Sequence, residues 1–312
     1  MKFFLAPMQG LTGYIVRNAF HHHFDYIDKY YTPFIPAAKR MNAKIKRDID
    51  PVNNDGITLI PQAMSIVADE VIDLHRQLVP YGYDEINVNL GCPSGTVVSK
   101  KRGSGILAYP DMLDSFLDEL YTKADFPVSI KTRVGFNDDE LWPKLIEIYS
   151  KYPISELTVH PRVQKDFYKN TPRMDDFALA VQKINPDKTI LCYNGDITNA
   201  NSFKALTDRF PDIDEIMIGR GLFANPALIA ELNGISMDKA ELRERLKNWH
   251  DEILSGYLSI FSGEKDAMFR MKEIWAYMHG LFPDSEKLWK KIKKSQTLTD
   301  YKSIVRMAFD AF

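Results

Sequence analysis

Residues able to do chemistry recur along this chain at the ends of short apolar runs. Cys92 lies in "DEINVNLGCPSGTVVSKKRGSG", where the alternation Ile86-Asn87-Val88-Asn89-Leu90 breaks off at Gly91-Cys92-Pro93. The other cysteine, Cys192 in "TILCYNG", sits inside an apolar run as core cysteines do. Cys92 stands instead where a strand opens into a loop. Lys131 follows Val128-Ser129-Ile130. An ammonium delivered to a strand end can form a Schiff base, hold negative charge on a bound ring, or pair with a carboxylate. His160 would by itself be a hydrogen-bonded core group, but Arg162 two residues on favours a shared anionic or planar ligand. Asn194-Gly195-Asp196 and Gly219-Arg220 either turn the chain or let backbone N–H groups approach an anion beside a helix N-terminus. Two such turns, one with an arginine, point to phosphate.

Something must bring these residues together. Eight β-like runs precede or carry them: Phe3–Ala6, Tyr26–Tyr30, Thr58–Pro61, Glu85–Leu90, Val128–Thr132, Glu156–His160, Thr189–Tyr193 and Glu215–Ile218. Helical patterns lie between, over 67–79, 110–121, 140–150, 175–184 and 199–209. Strands alternating with helices imply parallel pairing, and eight units in this length suit an α/β (β/α)8 TIM barrel; a doubly wound sheet is the rival. In such a barrel the site is built from loops at the carboxyl ends of the strands. Pro7-Met8-Gln9, Gln62, Asn89, Lys131, Arg133, His160, Arg162 and the two glycine turns all fall there. From Met237 onward only helical periodicity remains, predicting a catalytic barrel over 1–236 and a small all-α domain over 237–312.

Composition sets bounds. The chain has 312 residues, 45% of them apolar and 26% charged, as in a globular protein. No apolar run reaches the length of a membrane span and no signal-peptide pattern is read; two distant cysteines are no disulfide framework, so a reduced cytoplasmic setting is expected. A net charge of −2 argues against a wholly basic surface, but residues 286–306 concentrate Lys287, Lys290, Lys291, Lys293, Lys294, Lys302 and Arg306. That run is either a nucleic-acid contact or a solvated helix face. "RGSGILA" fits G-x-G-x-x-A but does not open a tight strand–helix turn, so no dinucleotide fold is assigned there. The "HHH" at 21–23 has no carboxylate or cysteine at ligand spacing, and no metal is expected.

Taken together, "LAPMQGLT", "NLGCPSGTVVSKKRGSGIL", "SIKTRVG", "TVHPR", "YNGDI" and "IGRG" occur in the order found in tRNA-dihydrouridine synthases, and the chain resembles that family over essentially its whole length. The resemblance implies an FMN-dependent enzyme that reduces the C5–C6 double bond of particular uridines in tRNA, with NADPH as electron source and tRNA as partner, here expected to act as a monomer. It implies that Pro7, Met8 and Gln9 pack against the flavin, Gln62 bonds its edge, and Lys131 lies near its N1/O2 side. Asn194, Gly195, Asp196, Gly219 and Arg220 would hold the ribityl chain and phosphate, with His160 touching flavin or phosphate. Asn89, Arg133 and Arg162 would meet the uracil. Cys92 would give the proton to C5 opposite the hydride, from a mobile loop with hinges at Gly103 and Gly105. Lys290, Lys291 and Lys294 would hold tRNA, with Lys39, Arg40, Lys44, Lys46, Arg47, Lys100, Lys101 and Arg102 near the mouth. The chain departs from the pattern at Pro161, where glycine is frequent, in "VQKDFYKN", and at Pro61 before Gln62. Rivals are a dihydroorotate dehydrogenase-like FMN barrel, a Schiff-base aldolase using Lys131, and a non-catalytic tRNA-binding factor.

Overall fold

A computed structural model of the chain describes residues 1–37 and 40–312. Lys39, expected near the mouth, lies outside the described residues. Among the described residues ten strands form one sheet: β1 (Lys2–Leu5), β2 (Lys29–Tyr31), β3 (Ile35–Pro36), β4 (Leu59–Ile60), β5 (Gln62–Met64), β6 (Ile86–Leu90), β7 (Val128–Gly135), β8 (Glu156–Val163), β9 (Ile190–Tyr193) and β10 (Glu215–Ile218). Neighbours run parallel in the order β3-β5-β6-β7-β8-β9-β10-β1-β2-β4. β4 and β5 are one extended segment interrupted at Pro61, which has no N–H to give to a ladder. The β4 half pairs with β2 and the β5 half with β6, while the Pro61 carbonyl accepts the Asn87 N–H at 2.9 Å. The segment therefore joins both ends of the order, and the sheet curls into an α/β barrel of the TIM type.

The helices follow the expected alternation: α1 (Tyr14–His23), α2 (Ala43–Ile49), α3 (Ala68–Leu78), α4 (Gly95–Val98), α5 (Pro110–Lys123), α6 (Trp142–Ser150), α7 (Met174–Lys183), α8 (Ala200–Arg209), α9 (Arg220–Ala224) and α10 (Leu228–Leu232). Pro110 takes the first position of α5, where its missing N–H has no cost, and Asn199 caps α8 by accepting the Ser202 N–H at 2.9 Å. β7 and β8 run three residues beyond the predicted ends. Arg133 and Arg162 consequently lie within strands, with a register shift between Arg133 and Gly135.

After α10 come only helices: α11 (Lys239–Ile260), α12 (Glu264–Met278), α13 (Ser285–Lys294) and α14 (Leu298–Ala311). Asp238 caps α11 through the Glu241 N–H at 2.8 Å, and Thr297 caps α14 through the Asp300 N–H at 3.1 Å. This helical part shares its core with the barrel. Phe20 on α1 packs against Phe223 and Trp249, with ring centroids 5.7 and 5.1 Å away. One buried apolar cluster runs from β1 through Trp249 and Trp275 to Phe309, while Phe4, Ala6, Tyr31, Ile60, Cys192 and Met217 form a smaller one. His22 and His23 on α1 both hold Glu252 on α11 at 2.8 Å. No described helix is long and apolar enough to cross a membrane.

A shared core predicts a shared transition. Phe20→Ala removes a buried ring from the junction and should destabilise the protein by about 3–5 kcal/mol. Barrel and helical part should unfold together in denaturant, read by tryptophan fluorescence and circular dichroism. Two separated transitions would contradict the single core.

Candidate active site

The carboxyl ends of the strands surround a cavity of about 310 Å³. Pro7, Met8 and Gln9 after β1, Gln62 on β5, Asn89 and Cys92, Lys131 and Arg133 on β7, and His160 on β8 line it, as do Asn194, Gly195, Asp196, Gly219 and Arg220. Its volume falls at the lower end of the range usual for small-molecule sites, roughly 300–1,000 Å³.

A ladder of side-chain amides forms the floor. Asn87 donates to Ser129 Oγ at 3.0 Å, Gln62 donates to Asn87 Oδ1 at 2.8 Å, and Asn89 donates to Gln62 Oε1 at 2.7 Å. Asn89 Oδ1 then accepts the backbone N–H groups of Gly91 and Cys92, at 3.1 and 2.8 Å. Asn89, expected to meet substrate, is thus also the anchor of the cysteine turn. Of the three amides Gln62 and Asn89 line the cavity, while Asn87 lies behind them.

Lys131 Nζ donates to Asn194 Oδ1 at 2.6 Å. Burial, reinforced by the nearby Arg133 charge, pushes this ammonium down to about 7. Arg133 is nearly fully buried, and its guanidinium goes to backbone: Nε to Gly91 O at 2.9 Å, one Nη to Val163 O at 3.0 Å, the other to Phe167 O at 2.9 Å. It braces two loops and keeps only its remaining N–H bonds for a ligand. Arg162 does not line the cavity. Its buried guanidinium pairs with Asp196, donates to Asn170 O at 2.5 Å, and donates to His160 Nε2 at 3.1 Å. His160 therefore carries its proton on Nδ1. Burial, then the charges of Arg133, Lys131, Arg162 and Arg220, hold it well below its ordinary value and neutral.

Asp196 also accepts from Arg220 at 2.5 Å. Burial opposes its ionisation, but the hydrogen bonds and charges of Arg162 and Arg220 outweigh this and keep the carboxyl below its usual range. Its oxygens are committed to arginines, so it orients Arg220 and leaves anion binding to other groups. The backbone N–H groups of Gly195, Asp196, Gly219 and Arg220 donate to no acceptor among the described residues. Gly221 behind them is required, since a Cβ there would overlap the Ile197 carbonyl. Free N–H groups, Arg220 and a nearby helix start make an anion cradle where phosphate binds in barrels of this type. Lys131, Arg133 and Arg220 line the cavity against Asp196 alone, so the lining is cationic.

Cys92 is half-buried, and burial raises its thiol pKa despite the Ser94 N–H and the charges of Arg133 and Lys131. At the two glycines expected to act as hinges the structure shows tight packing. Gly103 and Gly105 are buried, and a Cβ on Gly103, at φ +55°, would come within 2.8 Å of the Cys92 carbonyl oxygen. Gly103 permits close packing against the cysteine turn, and Gly105 against the backbone of Val98. Phe34, Tyr168 and Tyr277 also line the cavity without having been expected there. Tyr168 lies in the unusual "VQKDFYKN" loop, over the Arg220 guanidinium at 4.7 Å. Tyr277 comes from α12, and no spacing in the sequence could place it at the barrel mouth.

A family profile described as "Dihydrouridine synthase (Dus)" matches residues 4–310. A Pasteurella multocida (strain Pm70) protein named "tRNA-dihydrouridine synthase B" is 26% identical over 296 residues, covering 91% of this chain and 85% of that one. A Staphylococcus aureus (strain COL) protein named "Probable tRNA-dihydrouridine synthase" is 25% identical over 321 residues, covering 97% and 92%. Among solved structures, morphinone reductase aligns with a TM-score of 0.52 at 11% identity, over 77% of this chain and 88% of its own. "TcOYE with pHBA" aligns at 0.53 and 9%, over 80% and 95%. At these identities the two structures attest the barrel fold alone.

The depressed lysine has a stability signature. An unfolded Lys131 binds its proton more tightly than the folded one, so with the cavity freed of small molecules its charging opposes folding most at and below about pH 7. That penalty fades as pH rises toward the ordinary lysine value of about 10.4. Stability of wild type relative to Lys131→Met should therefore climb between pH 7 and 9 in denaturant titrations. A difference that stays flat would remove the depressed lysine.

Proposed function

The chain belongs to the dihydrouridine synthase family, and from that premise we propose that it reduces the C5–C6 double bond of uridines in tRNA, using FMN recharged by NADPH. The observation that carries the reading is the placement of the Cys92 thiol, which burial pushes up, in the lining of the same cavity as Gln62, Lys131 and the two glycine turns.

The residues present fit FMN. Arg220 and the free N–H groups of Gly195, Asp196, Gly219 and Arg220 would take its phosphate, Pro7 and Met8 would offer an apolar wall, and the amides of Gln62 and Asn194 with Lys131 would meet the polar edge of its ring. When bound, the flavin supplies the hydride that goes to uracil C6. Cys92 completes the addition: its S–H bond breaks, a C–H bond forms at C5, and the thiolate left behind regains a proton from solvent. Burial keeps the thiol protonated beforehand, while Lys131 and Arg133 favour the thiolate afterwards. Neutral His160 brings no further charge and could serve the ring or phosphate only as a hydrogen-bonding group.

A stacked uridine must be extruded from the RNA to reach this cavity, with the backbone held meanwhile. Helix α13 suits that task. Leu288 and Ile292 face the core, while Lys287, Lys290, Lys291, Lys293 and Lys294 are exposed. None of these lysines makes an ion pair among the described residues, which leaves all five charges free for phosphates. Of the basic residues expected near the mouth, Arg102 pairs with Glu70 at 3.1 Å and Lys101 covers Tyr109 at 4.4 Å, while Arg40, Lys44, Lys46, Arg47 and Lys100 are exposed. We place the enzyme in the cytoplasm with its tRNA.

Two measurements test the reading. Cys92→Ala should bind FMN and be reduced by NADPH at the wild-type rate yet form no dihydrouridine, scored by mass mapping of tRNA; normal turnover would strip Cys92 of its role. Replacing Lys290, Lys291, Lys293 and Lys294 with glutamine should weaken tRNA binding and lower the slope of log K against log salt by about 1 for each phosphate no longer neutralised. An unchanged slope would move the RNA-binding face elsewhere.

A further inference from the structure

Resting on the reading of Cys92 as proton donor, we propose that Ser104 and Gln164 are positioning residues that staple the Cys92 turn, so that the acid works from a fixed shelf and not from a swinging loop. Neither residue lines the cavity. Ser104 is fully buried, and both its N–H and its hydroxyl donate to the Cys92 carbonyl, at 3.1 and 2.8 Å. Gln164 Nε2 donates to the Pro93 carbonyl at 3.0 Å, across from the loop that follows β8. On the amide side, Asn89 Oδ1 holds the N–H groups of Gly91 and Cys92, and Arg133 Nε holds the Gly91 carbonyl. Every backbone polar group from the Gly91 N–H to the Pro93 carbonyl is thereby bonded, proline having no N–H. The bonds come from Asn89 just before the turn and from three side chains on distant parts of the chain, Ser104, Arg133 and Gln164, together with the Ser104 backbone. A β-turn that merely closed a loop would need one internal bond. Two local bonds from Asn89 and four from distant residues fix where the turn stands.

The chemistry explains why this is worth building. Proton delivery to C5 must meet a carbon on one face of a ring already held on its other face, and a misplacement of about 1 Å can cost on the order of a hundredfold in rate. Ser104 and Gln164 act through the backbone of the turn and leave cofactor and substrate contacts to other residues. Losing one net hydrogen bond should raise the open fraction of the turn by about fivefold.

The test uses flavin-loaded enzyme carrying Ser104→Ala, Gln164→Ala or both, with Ser104→Thr as the conservative rescue. Alkylation of Cys92 by iodoacetamide across a pH series, located by mass spectrometry, reads the turn independently of uridine chemistry; buried Cys192 is the internal control. The double variant should alkylate several-fold faster and with a thiol pKa moved back toward the ordinary value of about 8.5. NADPH should still reduce the flavin normally, while single-turnover formation of dihydrouridine falls about tenfold or more, with little change in tRNA affinity. Ser104→Thr should restore both. Unchanged alkylation in the double variant would overturn the staple, as would a turnover loss matched by an equal loss in flavin reduction. Wild-type enzyme that alkylates as described but makes no dihydrouridine would overturn the proposed function and leave the staple standing.

Discussion

The site depends on positive charge buried against neutral partners. Arg133 gives its guanidinium to three backbone carbonyls and Lys131 gives its ammonium to an amide oxygen. The one carboxylate in the cavity lining, Asp196, is divided between Arg162 and Arg220. Such cations are solvated by dipoles and are not neutralised, so the cavity retains a standing attraction for anionic or electron-rich ligands. The depressed lysine is the visible cost of that arrangement before a ligand arrives. Neutral His160, the raised Cys92 thiol and the unused N–H groups of the glycine turns all sit within this one field.

Much of this was legible in the sequence because barrel geometry is simple. A strand end is marked by an apolar run, and its next residue must face the mouth. Cys92, Lys131, Asn194 and Arg220 could therefore be placed from one-dimensional spacing. Arg162 and Arg133 could not be sorted from each other. Both follow apolar runs, but one faces Asp196 and the other the carbonyls of Gly91, Val163 and Phe167, and those partners come from distant segments. Gly103 misled for a related reason. Glycine signals a hinge or a close approach equally well, and only the position of the Cys92 carbonyl decides between them. Tyr277 is the extreme case, since its place at the mouth depends on how α12 packs back over the barrel.

That packing bears on the boundary drawn near residue 237. Sequence periodicity changes there, yet Phe20, Phe223 and Trp249 form one aromatic contact across it, and Arg270 on α12 approaches the Gly10 turn after β1. The helical part is therefore a wall of the site as well as a carrier of surface lysines. A polyanion bound on α13 and a ring bound above Lys131 would be held by parts of the chain that share one core. Precision at the cavity then requires no conformational signal between the two surfaces.

Lys131 remains the residue with two chemical identities. An amine held near 7 is what a Schiff-base enzyme needs, because the free base must be populated at neutral pH. Two features weigh the other way. Lys131 Nζ is engaged by Asn194 at 2.6 Å, and Asn194 is itself fixed by donating to the Met217 carbonyl at 2.7 Å, which holds the nitrogen where a hydrogen-bond donor is useful and a nucleophile is hindered. An aldolase would also have no use for a protonated thiol anchored through its backbone at the same cavity. The Cys92 turn, with its amide and carbonyl groups all engaged, is the more demanding construction, and the proposed hydride addition and proton delivery would use both it and a charged Lys131. Once an electron-rich ring lies against Lys131, its negative charge offsets the burial that lowered the ammonium, and the equilibrium turns back toward the cation. The same depressed value that would arm a nucleophile thus marks a charge waiting for its counterpart.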